Sequence, residues 1–510
     1  TPTGVILWTR VNEEVWSADE TLDFQVALDQ EFSQIVAQGL VNGVDFGPER
    51  DYTVKVDVDG LLAADTRYYY RFIYQATASQ VGRCRTLPDP TSAPDSLKFA
   101  VLTCQDFANG YYGAYHHLAV DDEIDFVLHL GDFIYEHSAP SSPYPGRSFS
   151  LPSGSSVAIN LDDYRALYRT YRSDPFFQEA MTNHTFINIW DDHEMANDCY
   201  WDYANDAPGA PDHPYAHDPA ALTQLKLDAQ QAWAEYVPAR PETDPNAFHP
   251  HDFLSIPRSF RFGDLLDLFM ADGRTYRAPH PCGEELIGER YVTIGCDQQN
   301  EPEQTLLGRQ QRRWLMQGLT TSTALWKVWG NQVLQARLRI PRPFNPGNIY
   351  VNLDAWDGYN FERTIIASRL KQAGVQNFVL LTGDLHAYMA CYLKINYNLT
   401  NNNDPDNVIG VEFMTPAITS ANLAQRLEEY GIPIDVDLWL VQLLNPHVSY
   451  FNDELWGYST MTFNRDYCQY DAYQVDKEVN SPDAAISLLR ALRVNKDTTQ
   501  IIDVTPLGPG

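Results

Sequence analysis

The sequence predicts a mixed α/β protein in which a small antiparallel β-sandwich precedes a much larger α/β unit. Three observations predict this fold class. Residues 1–85 contain short β-branched and aromatic runs without a helical segment, residues 86–96 contain three prolines, and residues 97–510 alternate apolar runs with helix-periodic segments. The 510 residues, 44% hydrophobic, suffice for about three core-sized units. This composition excludes disordered, collagen-like and coiled-coil proteins.

The amino-terminal sandwich is predicted from strand-like runs that recur at regular intervals with turn residues between them. The runs are GVILWTR (residues 4–10), LDFQVALD (22–29), YTVKVDVDG (52–60) and RYYYRFIYQ (67–75). The segment LLAADTRYYYRF (61–72) resembles the Leu…Thr-x-Tyr corner of a fibronectin type III-like domain. Residues 86–96 are predicted to be a linker, because proline disfavours both helix and strand.

Residues 97–510 are predicted to form a sheet covered by helices and then a second sheet. The strand-like runs are KFAVLT (98–103), DFVLHL (125–130), TFINIW (185–190), LLDLFMA (265–271), LWKVW (325–329) and FVLL (378–381). Helix-periodic segments between them cover residues 161–172, 222–236, 308–319 and 362–373. Strand-like runs return after His386, which predicts a second sheet packed on the first. Residues 138–156 and 205–219 are predicted to be long loops.

Charge, hydropathy and cysteine content exclude further classes of protein. With 68 acidic and 36 basic residues the formal charge is −32, so a nucleic-acid backbone would be repelled. The acidic composition fits either a saline medium or a merely acidic protein. No apolar run approaches the ~18–20 residues of a membrane-spanning helix. Seven cysteines are too few for a disulfide scaffold, but Cys282 and Cys296 bracket a polar loop and are candidates to pair.

Side chains of the kind that ligate metals follow five of the strand-like runs. They are Cys104, Asp132, Asp192, Asn331, and Asp384 with His386. Residues just past the carboxyl ends of neighbouring strands converge in an α/β sheet, and carboxylates packed so closely require cations. Each residue alone has an ordinary alternative, such as a turn-capping aspartate, an inert buried cysteine or, for His193 and Tyr135, a place in the core. Recurrence at five strand ends favours a multinuclear metal site.

Five short motifs occur in an order that resembles the metallophosphoesterase superfamily. They are TCQ (103–105), GDFIY (131–135), DDHE (191–194), WGNQ (329–332) and GDLH (383–386). With the segments at residues 163–178, 354–359 and 412–420, they more closely resemble the PhoD family of alkaline phosphatases and phosphodiesterases, which is related to the purple acid phosphatases. The resemblance covers nearly the whole chain, including the sandwich at residues 1–85 and the linker.

The resemblance implies a four-layer αββα sandwich over residues 97–510, with an iron(III) and calcium centre. Carried over residue by residue, the iron ligands are Cys104, Asp132, Tyr135 and His386. Asp132 bridges to calcium, Asp192 and Asp384 are further calcium ligands, and Asp272 and Glu194 are candidate outer ligands. Thiolate, phenolate and imidazole suit a transition metal, whereas carboxylates suit calcium, so the donor chemistry agrees with this assignment.

The reaction implied is hydrolysis of a phosphate monoester or diester by a metal-activated water. His193 would contact the phosphate or donate the proton to the leaving group, and Asn331 would bind phosphate or complete the calcium shell. Arg165 and Arg169, one helical turn apart, are candidates to contact phosphate, although arginines on a helix surface usually form ion pairs.

Two alternative functions remain open at this stage. One is a phospholipase D-like or teichoic-acid-type phosphodiesterase, for which the aromatic residues 108–117 offer weak support, although such aromatics are more often core. The other is a surface binding protein with an inactive phosphatase domain, against which the complete ligand set argues. The resemblance also implies export by the twin-arginine route. Because the sequence begins at Thr1 rather than Met, we expect that a leader has been removed.

Overall fold

Two seven-stranded mixed sheets form the centre of the molecule. The computed structural model describes residues 1–138, 142–144, 146–341, 348–431 and 438–506. In hydrogen-bonding order, the first sheet consists of Phe186–Asn188, Phe126–His129, Ser96–Leu102, Gly457–Asn464, Tyr467–Val475, Ile486–Asn495 and Ile501–Asp503. The second consists of Arg258–Phe262, Leu266–Met270, Trp326–Gly330, Phe378–Thr382, Val408–Met414, Tyr388–Lys394 and Val448–Asn452. The first three strands of the first sheet are mutually parallel, as are the second to fifth of the second sheet.

The two sheets pack against each other through large apolar side chains. The ring centroid of Phe99 in the first sheet lies 5.3 Å from that of Phe262 in the second. Trp326 of the second sheet approaches Phe463 of the first to 5.9 Å between ring centroids. All four belong to one buried core. The nearly continuous apolar strands predicted from the sequence are thus buried between packed layers, where hydrophobic side chains stabilise both sheets.

Two groups of helices share cores with the two sheets. Gly113–Ala119, Leu161–Arg172, Pro175–Asn183 and Pro219–Tyr236 pack into the core of the first sheet, and Gly308–Thr321 and Asn360–Gln372 into a second core with the second sheet. The other described helices are Pro250–Phe253, Leu423–Glu429 and Leu438–Leu444. Asp174 and Asp218 each accept a backbone N–H at a helix start that has proline at its first position. None of the helices in these described ranges is long and apolar enough to cross a membrane.

The strands of residues 1–85 form two small antiparallel sheets. Ile6–Arg10 pairs with Thr53–Asp57, and the other sheet contains Ile35–Asn42, Thr21–Ala27, Arg67–Tyr74, Thr77–Ala78 and Gly82–Arg85. They enclose a core of their own, which includes Val26 and Phe72. The Tyr68 hydroxyl accepts a hydrogen bond from the backbone N–H of Ala63 at 2.8 Å. This contact, from a tyrosine back to the chain a few residues upstream, is that of a tyrosine corner.

The long connections differ from the sequence prediction at one place. In residues 205–219, Ala207–Gly209 pairs with Tyr200–Asp202, and Pro219 already begins a helix, so the loop is shorter than predicted. Of the other predicted loop, residues 139–141 and 145 lie outside the described residues. The remaining described strands are Glu242–Thr243, Leu254–Ser255, Tyr291–Thr293, Arg339–Pro341 and Asn348–Asn352.

Two smaller sequence predictions are resolved by the fold. Cys282 and Cys296 form a disulfide, as their placement around a polar loop suggests. The aromatic residues 108–117 supply core side chains, since Tyr112 and Tyr115 are fully buried. These aromatic residues are therefore part of the core. They no longer support a binding site in which they would contact a lipid or a sugar.

Candidate metal centre

The predicted ligand residues lie at the carboxyl ends of strands from both large sheets. Cys104, Asp132 and Asp192 follow the three parallel strands of the first sheet, Ser96–Leu102, Phe126–His129 and Phe186–Asn188. Asn331, Asp384 and His386 follow two parallel neighbours of the second sheet, Trp326–Gly330 and Phe378–Thr382. The cluster therefore sits where two sheets meet, and not along the edge of one sheet as the sequence prediction assumed.

The backbone at these strand ends is held in a conformation that side-chain-bearing residues rarely adopt. Cys104, Asp132, Asp384 and His386 all have a positive φ, between 55° and 63°. Such strain persists only where the surrounding structure imposes it, and it is concentrated at functional sites. Gly131 is required beside Asp132, since a Cβ there would lie 2.5 Å from the backbone nitrogen of Asp191. Strain at four predicted ligand positions points to a binding or catalytic role for this cluster.

A first group combines a thiol, a carboxylate, a phenol and an imidazole. Cys104 Sγ lies 3.3 Å from Asp132 Oδ2, and the Tyr135 hydroxyl lies 3.2 Å from the same oxygen. The Tyr135 hydroxyl also lies 3.4 Å from His386 Nε2. His386 Nδ1 contacts the backbone carbonyl of Ala421 and must therefore carry the proton, which leaves the Nε2 lone pair directed at the group.

Two further groups are rich in carboxylates and share Asp192. Ligand atoms of Asp132, Asp192 and His193 lie within 4.8 Å of one another, as do those of Asp191, Asp192 and Asp384. Since Asp132 also belongs to the first group, the three groups form one continuous cluster. Asn331 is fully buried nearby in the fold, and its Oδ1 has no protein partner in the described chain. A buried oxygen without a hydrogen-bond partner can ligate a cation or accept a hydrogen bond from a phosphate-bound water.

A fully buried arginine holds the carboxylates of the third group in place. The Arg274 guanidinium contacts Asp191, lies 3.2 Å from both Asp192 and Asp384, and pairs with Asp354 at 2.7 Å. Asp354 is also paired with Arg277 and His280, so in the described chain Arg274 is the arginine paired with Asp191, Asp192 and Asp384, and these three carboxylates retain an excess of negative charge. Burial further disfavours ionised carboxylates, so the arginine alone does not neutralise the site.

The pKa values of the cluster reflect this uncompensated charge. Burial, with the charge of Asp132, raises the pKa of the Cys104 thiol well above its usual range. Burial and neighbouring carboxylates likewise raise the pKa of Asp132 and of Asp384, although His193 and Arg274 respectively oppose the shift. Burial raises the pKa of Asp191 to about 7. Bound cations would lower these raised pKa values and favour the ionised side chains as ligands.

His193 is oriented by a buried carboxylate next to the first group. Its Nδ1 lies 2.6 Å from Glu136 Oε2, and its ring stacks on Tyr135 with 4.0 Å between centroids. Burial disfavours the charged imidazole, but Glu136, Asp192 and Asp132 outweigh burial and raise the pKa of His193 well above its usual value. Because Nδ1 is held by Glu136, Nε2 is the nitrogen available to a substrate.

Several predicted residues serve the scaffold instead. Glu194 accepts the backbone N–H groups of Asp132, Phe133 and Asp191, and Asp272 accepts those of Arg274 and Thr275. Carboxylates that receive backbone hydrogen bonds in this way brace the ligand loops, which accounts for both residues without a metal contact.

Arg165 and Arg169 contact acidic and backbone groups away from the cluster. The Arg165 guanidinium pairs with Glu235 at 2.6 Å and donates to the backbone carbonyl of Glu49, and Arg169 pairs with Asp51. The helix that carries them thus binds the amino-terminal region at Glu49 and Asp51, in the turn before the strand Thr53–Asp57. The phosphate contact considered for these arginines is therefore corrected in favour of ion pairs, because each guanidinium group is paired with a carboxylate outside the cluster.

Sequence reasoning missed Arg274, Asp354, Glu136 and Ser420 as parts of the site. Ser420 Oγ lies 2.6 Å from the Tyr135 hydroxyl across 285 residues of sequence. Asp354 and Ser420 lie in segments that carry the family resemblance, which was the one available signal. No local sequence pattern marks Arg274 or Glu136 as part of the site, because the side chains with which they pair are distant in sequence.

The donor set fits two kinds of cation. Sulfur, phenol oxygen and imidazole nitrogen around Asp132 suit a transition metal, whereas the carboxylate oxygens of Asp132, Asp192 and Asp384 suit a hard cation such as calcium. The excess charge, the raised pKa values and the orphaned Asn331 oxygen all favour occupation by cations.

Comparison with known proteins agrees with this chemistry. The model of the PhoD-like phosphatase family matches residues 99–472, and that of the PhoD-like phosphatase N-terminal domain matches residues 1–88. Alkaline phosphatase D of Bacillus subtilis (strain 168) is 32% identical, over 98% of this chain and 80% of its own length. A solved structure of PhoD has a TM-score of 0.82 at 29% identity, covering 99% of this chain and 91% of the other. The chain therefore belongs to the PhoD-like phosphatase family and is a phosphoric ester hydrolase.

Proposed function

We propose that this enzyme hydrolyses phosphate monoesters and diesters at an iron(III) and calcium centre, outside the cytoplasm. The observation that carries the proposal is the meeting of Cys104, Tyr135 and His386 around Asp132, with the carboxylates of Asp192 and Asp384 beside them. Because the chain is a phosphoric ester hydrolase, the alternative of a surface binding protein with an inactive phosphatase domain is no longer needed.

Iron is assigned to the mixed donor group and calcium to the carboxylates. Cys104, Asp132, Tyr135 and His386 would hold iron(III), and Asp132, Asp192 and Asp384 would hold calcium. When bound, the two cations supply the charge that binds phosphate oxygens and the acidity that activates the attacking water.

The chain's own residues orient the substrate and move a proton. His193, charged through its pairing with Glu136, donates a proton from Nε2 to the departing ester oxygen. Asn331, whose buried Oδ1 has no hydrogen-bond partner among the described atoms, completes the cation shell or holds a water. Arg274 fixes Asp191, Asp192 and Asp384 relative to one another, so that the carboxylates are positioned before substrate arrives.

The domain assignment is part of the same proposal. Residues 97–510 form the catalytic domain as a four-layer αββα sandwich, residues 86–96 are a linker, and residues 1–85 are a fibronectin type III-like sandwich. The two packed seven-stranded sheets, each sharing a core with helices, support the first assignment. The Tyr68–Ala63 contact supports the last.

The disulfide supports a location outside the cytoplasm. Cys282 and Cys296 are bonded, and disulfides persist mainly in oxidising compartments. The twin-arginine route remains the export pathway that the family resemblance implies.

A substrate panel with and without calcium tests the proposal. We expect hydrolysis of both 4-nitrophenyl phosphate and bis(4-nitrophenyl) phosphate, loss of both activities in excess EGTA, and recovery when calcium is restored. A clear preference for the diester would favour the phosphodiesterase alternative. Full turnover of either ester in excess EGTA would remove calcium from the proposal.

A further inference from the structure

Residues 282–296 form a segment whose two ends are joined by the disulfide between Cys282 and Cys296. We call it the disulfide segment. None of its residues belongs to the predicted ligand set, yet two series of buried contacts lead from it to that set. Both involve Arg290, whose side chain has no exposed surface.

The first series of contacts links Arg290 to the loop that follows Asp192. The Arg290 guanidinium pairs with Asp198 through Nη1 and with Asp212 at 2.7 Å through Nη2. The Tyr291 hydroxyl donates to the other oxygen of Asp198 at 2.7 Å. Both carboxylate oxygens of Asp198 are therefore bound by the disulfide segment, which fixes this residue and its backbone.

The backbone of Asp198 carries this constraint to a proposed calcium ligand. Its N–H donates to Asp192 Oδ2 at 2.6 Å. The other oxygen, Asp192 Oδ1, lies 3.2 Å from Arg274 Nη2. A rotation of the Asp192 carboxylate would break at least one of these two contacts, so Asp198 and Arg274 together set its direction.

The second series of contacts leads from the same segment to Arg274. Glu284 Oε2 lies 2.7 Å from His280 Nδ1, and His280 Nε2 lies 2.9 Å from Asp354 Oδ1. The other oxygen of Asp354 pairs with Arg274 at 2.7 Å. Arg290 supports this series as well, because its Nε donates to the backbone carbonyl of Glu284 at 3.0 Å.

The positive charge of Arg290 matters as much as its hydrogen bonds. Burial, followed by the charge of Asp354, raises the pKa of Asp198 to about 6, and the charge of Arg290 opposes this rise. Removal of one partner from a buried ion pair leaves the other without compensation and is strongly destabilising for that arrangement. Without the guanidinium we therefore expect Asp198 to shift, together with the N–H that holds Asp192.

We propose that Arg290 is a positioning residue for the carboxylate part of the metal centre, and that the disulfide segment holds it in place. It acts through Asp198 on one side and through Asp354 on the other. As a result, Asp192 and Asp384, the proposed calcium ligands on which this inference rests, keep their spacing before a cation binds.

Calcium titration of enzyme depleted of calcium with EGTA tests the inference. In Arg290→Met we expect the calcium affinity measured by calorimetry to fall about 10-fold to 100-fold. The calcium concentration for half-maximal hydrolysis of 4-nitrophenyl phosphate should rise by a similar factor, while kcat at saturating calcium falls less than about threefold. A group that acted on the substrate itself would lower kcat even at saturating calcium.

Two variants separate positioning from general stability. Arg165→Met is the matched control, since Arg165 forms a buried pair with Glu235 at 2.6 Å away from the cluster. Both Arg→Met variants lose a buried ion pair and should lower Tm, but Arg165→Met should leave the calcium affinity unchanged. Arg290→Lys keeps the charge without the fork that reaches Asp198 and Asp212 together, and it should restore part of the affinity.

Two further variants test the route of the effect. In Arg290→Met/Asp198→Asn the calcium affinity should lie within about twofold of that in Arg290→Met, because residues that act in one series of contacts are not additive. Cys282→Ser/Cys296→Ser frees the ends of the disulfide segment and should weaken calcium binding about threefold to tenfold.

Unchanged calcium affinity in Arg290→Met, or an equal loss in Arg165→Met, would overturn the inference. Should Arg290→Met not fold, unchanged affinity in both Arg290→Lys and Cys282→Ser/Cys296→Ser would overturn it equally. A wild-type enzyme that binds no calcium would instead contradict the proposed calcium assignment itself, so the two failures are distinguishable.

Discussion

At the carboxyl ends of the two large sheets, Asp191, Asp192 and Asp384 share Arg274 as their arginine partner among the described residues, whereas Asp354 also pairs with Arg277 and His280. Beneath the amino-terminal strands, Arg172 and Arg258 share no acid at all within the described residues. One region carries unbalanced negative charge and the other unbalanced positive charge. Other buried charges have a partner of opposite sign, as Arg165 has Glu235 at 2.6 Å and Arg147 has Asp174 at 2.8 Å. At the metal centre the excess of carboxylates coincides with strained backbone and with three groups of candidate ligands, and this combination distinguishes it from the region around Arg172 and Arg258.

Neutralising the most connected acid of the metal centre should give the largest effect. Asp132→Asn removes a carboxylate shared by the first two donor groups, so we expect activity to fall at least about 1,000-fold. Iron and calcium should both be lost, as measured by elemental analysis. The control Asp57→Asn removes an exposed acid that pairs with Arg240, and it should leave activity unchanged. An active, metal-loaded Asp132→Asn enzyme would contradict the ligand assignment.

The next effect concerns the proton donor rather than the charge balance. His193→Asn should lower kcat about 100-fold to 1,000-fold while the metals remain bound, because it removes only proton transfer. His116→Asn is the matched control, since His116 forms the same kind of pair with Glu179 at 2.9 Å on the outside of the molecule. Metal loss in His193→Asn would instead make this residue a ligand.

Glu136→Gln should have a smaller effect with a distinctive pH dependence. The Glu136 carboxylate raises the pKa of His193, so its removal lowers that pKa and the acid form is lost at lower pH. We expect kcat to fall about tenfold and the alkaline limb of the pH profile to move to lower pH. An unshifted alkaline limb would show that another group titrates there.

The acidic cluster also predicts how cations change thermal stability with pH. In metal-free protein the pKa values of Asp191 and Glu194 are raised to about 7, chiefly by burial. Because the folded state binds these protons more tightly, protonated Asp191 and Glu194 stabilise the folded state. This stabilisation is complete below the unfolded-state pKa of about 4 and is lost as the pH rises through about 7. The difference in Tm between the metal-loaded and metal-free protein should therefore grow from pH 5 to pH 8. A constant difference would argue against charge relief by cations.

The smallest effect is expected at Arg258, which has no carboxylate within ion-pair distance among the described residues. Arg258→Met removes a cation that lacks an acidic partner, so Tm should stay constant or rise by about 2 °C. Arg261→Met breaks an ion pair with Asp267 and should lower Tm slightly. A marked fall in Tm for Arg258→Met would show that Arg258 is part of the structural framework.

Much of the metal centre was predictable because its residues follow strands that the sequence identifies locally. Cys104, Asp132, Asp192, Asp384 and His386 each end an apolar run, and parallel strands bring such ends together. The prediction of two packed sheets is confirmed, but the predicted division of the strands at His386 is wrong. Each sheet combines strands from before and after that residue, and this arrangement depends on long-range pairing. Tyr135 was predicted as a metal ligand only from the family resemblance, because a tyrosine in an apolar stretch is ordinarily a core residue.

The remaining features depend on contacts that no local pattern encodes. Arg274 meets its partners across 80 residues or more, so its spacing carries no signal. Arg165 and Arg172 lie on one helix, yet one has an acidic partner and the other does not. The difference arises because Glu235, on the helix Pro219–Tyr236, meets Arg165, whereas Arg172 meets a backbone carbonyl and the Trp8 ring.

The most direct test of the account is elemental analysis of purified enzyme, read beside its rate on a phosphate monoester. The account predicts about one iron and at least one calcium per chain, and loss of iron together with activity in Cys104→Ser. A fully active wild-type enzyme that contains neither metal would contradict it.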